Sequence, residues 1–181
     1  HLSLRRQRQM CIRDSNYDAE RGGSLYIDGS TGSKSLVSGV VGLTGGHIWA
    51  HNMTLSGALI ATQGQGAWIT GNASAEFSGS NISGYNIGVN AVNGGYASVD
   101  STSIHNNRLA GITADGGRVT GGSATITNNT TYGIQALHQG SVVLFGSYAR
   151  MSGNGTNFSV QPAGIQNVSG TAYSASSIDV Q

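Results

Sequence analysis

The chain has 181 residues, of which 9 % are charged and 38 % hydrophobic, with 29 glycines, one proline and one cysteine. Such a length suits one domain, the low charge excludes a charge-driven disordered chain, and a lone cysteine excludes an internal disulfide. The formal net charge of +1 misleads: from Gly22 onward four bases (Lys34, Arg108, Arg118, Arg150) stand against five acids (Asp28, Glu76, Asp100, Asp115, Asp179). No basic patch results, so nucleic acid is not an expected partner. No apolar run reaches the length of a membrane-spanning helix, so membrane insertion is not expected either.

Residues 1–15, HLSLRRQRQMCIRDS, hold four of the nine basic residues and Cys11, and share no pattern with the rest of the chain. They look like translated adapter sequence of the kind found in metagenomic reads; the other reading is a real basic arm. No hydrophobic signal core follows them, and export is left open. Residues 16–45 are rich in Gly and Ser and read as strand and loop leading into a coil. Between Gly46 and Ser80 the spacing is less regular, and a loop around Gln63–Ile69, carrying Trp68, is expected to protrude.

The next part of the chain is periodic. From Gly94 it reads GGYASVDSTSIHNNRLAGITADGG, and from Gly116 GGRVTGGSATITNNTTYGIQALHQG. Gly95, Gly117 and Gly140 align, as do Ala97, Val119 and Val142. Ile82, Ile104 and Ile126 share a column; Val89, Ile112, Ile134 and Phe158 share another, and Ala91, Ala114, Ala136 and Val160 a third. A period of about 22 residues means one supersecondary unit stacked on copies of itself. Within each unit apolar residues alternate over short runs bounded by Gly and Asn, which reads as β-strand. Three short strands per unit, each about 4.8 Å from its equivalent, make an all-β parallel solenoid over 46–160; over the length of the chain about seven rungs would give a rod of roughly 34 Å. Small residues such as Ala97, Ala114 and Ala136 suit its narrow interior. Asn106-Asn107 and Asn128-Asn129 mark one corner, where Asn tolerates left-handed angles and stacked amides can bond from rung to rung. Gly94-Gly95 and Gly116-Gly117 mark a second. Residues 161–181 read as a cap or exit segment, and so short a rod reads as part of a longer chain or assembly.

The rung motif GGxxxVxxxxIxNNxxxGI, with the ending SGNGTNFSV, resembles the right-handed, single-stranded parallel β-helix of bacteriophage tail fibres and tailspikes, over roughly residues 46–160. The same coil occurs in pectate-lyase-like enzymes and secreted adhesins, so the fold alone does not choose a function. The resemblance implies a homotrimeric virion tail component, extracellular, that attaches to host surface polysaccharide and sometimes cleaves it. A secreted or bacterial cell-surface adhesin is the alternative setting. No cofactor is implied.

Were the chain an enzyme, Glu76 and Asp100 would be its candidate catalytic pair. Rung alignment sets Glu76 beside Ser98, and Asp100 two residues along the same outward face. The two carboxylates would then be diagonal neighbours at roughly 8 Å, within the spacing of about 6.5–9.5 Å used by inverting glycosidases. The plainer reading is two isolated acids that keep a neutral wall soluble. A calcium-dependent lyase would need more clustered carboxylates than these. His47 and His51 fall on one strand face about 13 Å apart, too far to share a metal, so no metal site is expected. Asp115 and His138 should stack at one corner as an exposed ion pair worth little. The many Asn-x-Ser/Thr matches are what a chain so rich in these residues produces by chance. For carbohydrate binding the candidates are Trp68, Tyr96, Asn106, Arg118 and Gln135, because sugar faces stack on rings and amides bond hydroxyls. Tyr96 and Arg118 are rung equivalents and should both face outward. The alternative is that the rings cap rung edges or pack on sister chains.

Overall fold

The computed structural model describes residues 17–29, 35–36, 39–42, 44–57, 64–145, 150–160, 165–168 and 172–173. Segment 1–15 lies outside the described residues, as does most of 161–181. No α-helix occurs among the described residues.

Three parallel sheets of seven strands each wrap the chain into a solenoid. Sheet A contains Tyr17–Ala19, Val40–Gly42, Gln65–Ile69, Ile87–Val92, Ala110–Asp115, Tyr132–Leu137 and Thr156–Val160. Sheet B contains Ser24–Asp28, His47–His51, Ser74–Ser78, Tyr96–Ser98, Arg118–Gly122, Ser141–Phe145 and Ile165–Val168. Sheet C contains Ser35–Leu36, Thr54–Ser56, Asn81–Ser83, Ser103–His105, Thr125–Thr127, Arg150–Ser152 and Ala172–Tyr173. Among the described residues consecutive strands do not pair; each bonds the equivalent strand of the next rung. Parallel pairing begins at Tyr17 and reaches Tyr173, so rungs extend on both sides of 46–160.

The register follows the apolar columns. Ile82 pairs with Ile104 and Ile104 with Ile126. Ile112 pairs with Val89 and with Ile134, and Thr113 stacks on Gln135 beside them. Ala97, Ala114 and Ala136 are fully buried with these isoleucines. Stacking like on like buries these columns in a narrow interior, and their burial is the main stabilising term.

One expectation is overturned. Gln65–Ile69 is not a protruding loop but a strand of sheet A, with Ala67 and Ile69 fully buried and Trp68 pointing outward. The irregularity lies just before it. Leu55 pairs with Ile82, 27 positions on, whereas Ile82 pairs with Ile104, 22 positions on. The five additional residues fall between Ser56 and Gln65, which stand nine positions apart where their partners Ser83 and Ile87 stand four apart.

Two corners have distinct chemistry. At the corner from C to A, Asn106 and Asn128 take left-handed φ of 54°, while Asn107 and Asn129 turn inward and are fully buried. The Asn107 side chain donates to Asn129 Oδ1 at 2.9 Å, and the Asn129 side chain donates to Asn154 Oδ1 at 2.9 Å. At the corner from A to B, glycines recur because another residue would not fit: a Cβ on Gly95, Gly117 or Gly140 would stand 2.1, 2.4 or 1.9 Å from a carbonyl oxygen of the previous rung.

Candidate functional site

Alternation in sheet B sends every second side chain outward. Its outward columns run across rungs as Ser24, His47, Ser74, Tyr96, Arg118, then Tyr26, Trp49, Glu76, Ser98, Thr120, then Asp28, His51, Ser78. Rings and acids are thus gathered on one face. Tyr26 is 62 % exposed and meets the His51 ring edge-on at 5.8 Å between centroids. His51 Nε2 stands 3.9 Å from Glu76 Oε2. The His47 ring packs edge-on against Trp49 at 3.8 Å, and its Nδ1 bonds the Ser74 hydroxyl. Tyr96 is outward and bonds the Thr120 hydroxyl at 2.7 Å. The outcome is one sheet face that carries rings held by neighbouring side chains, with carboxylates between them.

Glu76 pairs with Ser98 as the alignment predicts. Asp100 lies in the turn after the strand, half-buried, with Val99 inward beside it. Its Oδ2 accepts from Ser98 Oγ at 2.8 Å, and its Oδ1 accepts from the backbone N–H of Gly122, one rung on. Asp100 therefore ties two rungs together, and Glu76 has the His51 ring as its neighbour.

The carbohydrate candidates separate onto different faces. Tyr96 and Arg118 are adjacent and exposed on sheet B. Trp68, 40 % exposed, and half-buried Gln135 stand on sheet A in one column, with Asn90 and Thr113 between them. Asn106 is exposed at the C-to-A corner and its Nδ2 donates to His105 Nδ1 at 2.9 Å. The Asp115–His138 pair forms as expected, at 2.7 Å. Among the described residues no group of three or more His, Cys, Asp or Glu could hold a metal ion.

Sequence reasoning did not gather Tyr26, Asp28, Trp49 and His51 with Glu76. The signal was the outward alternation in SLYID and HIWAH, but aligning them needs the register across the 27-residue rung, since Trp49 pairs with Glu76.

A family model described as a right handed beta helix region matches residues 8–178. No curated protein and no solved structure matches the chain.

Proposed function

The chain belongs to the right-handed β-helix family, and from that premise we propose that it is a receptor-binding segment of a phage tail fibre or tailspike that holds host surface polysaccharide against sheet B. The observation that carries this reading is the outward row of Tyr26, Trp49, His51, Glu76 and Tyr96, fixed by edge-on ring contacts and cross-rung hydrogen bonds. Rings held in place offer flat apolar faces to pyranose rings at small entropic cost. The hydroxyls and carboxylates between them can bond sugar hydroxyls. The expected setting is a homotrimer in the virion tail.

A catalytic role would need a general acid within reach of a bound glycan and a second carboxylate free to act on water. Asp100 already accepts two internal hydrogen bonds. Binding without cleavage is therefore the better reading. Incubation with purified host capsule or lipopolysaccharide, followed by sizing of the glycan, tests it. The wild type and the double variant Glu76→Gln, Asp100→Asn should both retain full-length glycan. Oligosaccharide release that stops in the double variant would replace this reading with a polysaccharide hydrolase or lyase. Absence of any glycan retention would favour a purely structural segment.

A further inference from the structure

Sheet A has an outward column of a different kind. Trp68, Asn90, Thr113, Gln135 and Ser159 stand on five successive rungs, each the register partner of the next. None carries a charge. The carboxylate beside the column, Asp115, is engaged by His138 at 2.7 Å. Trp68 presents its ring at one end, 40 % exposed.

The middle of the column is unusual for an outer face. Asn90 and Thr113 are 7 % and 4 % exposed. Asn90 Nδ2 donates to Gln65 Oε1 at 3.0 Å, whereas Asn90 Oδ1 and Thr113 Oγ1 have no hydrogen-bond partner. They belong to adjacent rungs, about 4.8 Å apart along the coil. A buried polar atom without a partner costs about 1–3 kcal/mol, and two neighbours in that state point to a ligand that would satisfy both.

We propose that this column is a second binding site, for an uncharged glycan lying along the coil axis. One sugar ring stacks on Trp68, and hydroxyls of the following sugars supply the partners that Asn90 and Thr113 lack. The Gln65 amide, which otherwise holds Asn90, is displaced by the sugar. The rung repeat is close to the length of one pyranose residue, so successive sugars meet successive side chains. The site rests on the polysaccharide-binding reading but occupies another face, so the two can fail separately.

The test measures binding to immobilised dextran, mannan, galactan and arabinoxylan, with polygalacturonate as the charged comparison. Thermal melts monitor the fold of each variant. Trp68→Ala should lower affinity for at least one neutral polysaccharide about tenfold. Thr113→Val should weaken the same polysaccharide about fivefold while melting no lower than the wild type, because it removes an unmatched hydroxyl. Gln65→Ala should bind it more tightly, an effect that a merely structural role would not give. Tyr96→Ala, on sheet B, should leave that binding unchanged. Retention of no neutral polysaccharide would overturn the proposal. So would wild-type affinity in both Trp68→Ala and Thr113→Val, or neutral-glycan binding lost in Tyr96→Ala alone; the last result would leave the sheet B reading standing.

Discussion

The paired asparagines divide their labour. Asn128 takes a left-handed φ of 54° and is exposed. Asn129, one position on, is fully buried and bonds in both directions along the coil. Its Oδ1 accepts from the backbone and side chain of Asn107, and its Nδ2 donates to Asn154 Oδ1 and to the Ile104 carbonyl. Asn129→Ala should therefore cost about 2–4 kcal/mol, because it strands several buried groups at once. Asn128→Ala should cost about 1 kcal/mol, for the left-handed backbone alone. Denaturant unfolding of the two variants checks this, and equal losses would mean that the ladder is not where the energy lies. The sequence made the corner legible through the Asn-Asn repeats. It did not reveal which Asn of each pair turns inward, because that is decided by the direction of the backbone leaving the strand.

Among strands and corners, the glycine column at the A-to-B corner is a tight joint repeated from rung to rung. The Gly117 site would place a Cβ 2.4 Å from the Ala91 carbonyl oxygen. Gly117→Ala should destabilise by about 1–3 kcal/mol through overpacking, whereas at exposed Gly22 a methyl group would meet no atom within 4 Å and only the left-handed φ of 74° opposes Ala. Comparing the melting temperatures of Gly117→Ala and the wild type decides whether the corner can relax. The first strand, Tyr17–Ala19, carries a pH response of its own. Partial desolvation, then the Glu20 carboxylate, raises Asp18 from 3.8 to about 6. The folded strand thus binds more protons than the unfolded one between those values, so its stability falls as pH rises through that window. Asp18 is exposed on its strand, so the effect is small and local. With the intrinsic pH dependence of exchange divided out, amide protection of Tyr17–Ala19 and Val40–Gly42 should be higher near pH 4 than near pH 7, and Asp18→Asn should flatten the difference. The alignment of Gly95, Gly117 and Gly140 exposes this joint in the sequence alone. The cluster of Tyr26, Trp49 and Glu76 stayed hidden, because no fixed period bridges the long rung between Trp49 and Glu76.

The assembled coil behaves as a stack in which each rung touches only its neighbours. Removing residues 96–117 deletes one strand from each sheet and lets Arg118 follow Gly95. In the shortened coil Val119 would stack on Ala75, and Ile126 on Ile82, as Ala97 and Ile104 do now. The shortened chain should keep a β-type circular dichroism spectrum and a cooperative melt. A spectrum of an unfolded chain would show that the rungs are not interchangeable.

Rung lengths also record where this molecule can grow. From sheet A to sheet B the corner hardly varies: Ile69 to Ser74, Ala91 to Tyr96 and Ala136 to Ser141 each span five positions, and Ala114 to Arg118 spans four. From sheet C to sheet A the chain takes twelve positions between Leu55 and Ala67 but seven between Ile82 and Val89. Insertions in such coils collect in loops on one side, and here the glycine joint forbids them on the other. New surface segments can therefore be grafted at the C-to-A bend, next to the Trp68 column, without respecifying one core residue. An evolving lineage could exchange the surface there while inheriting the same scaffold intact.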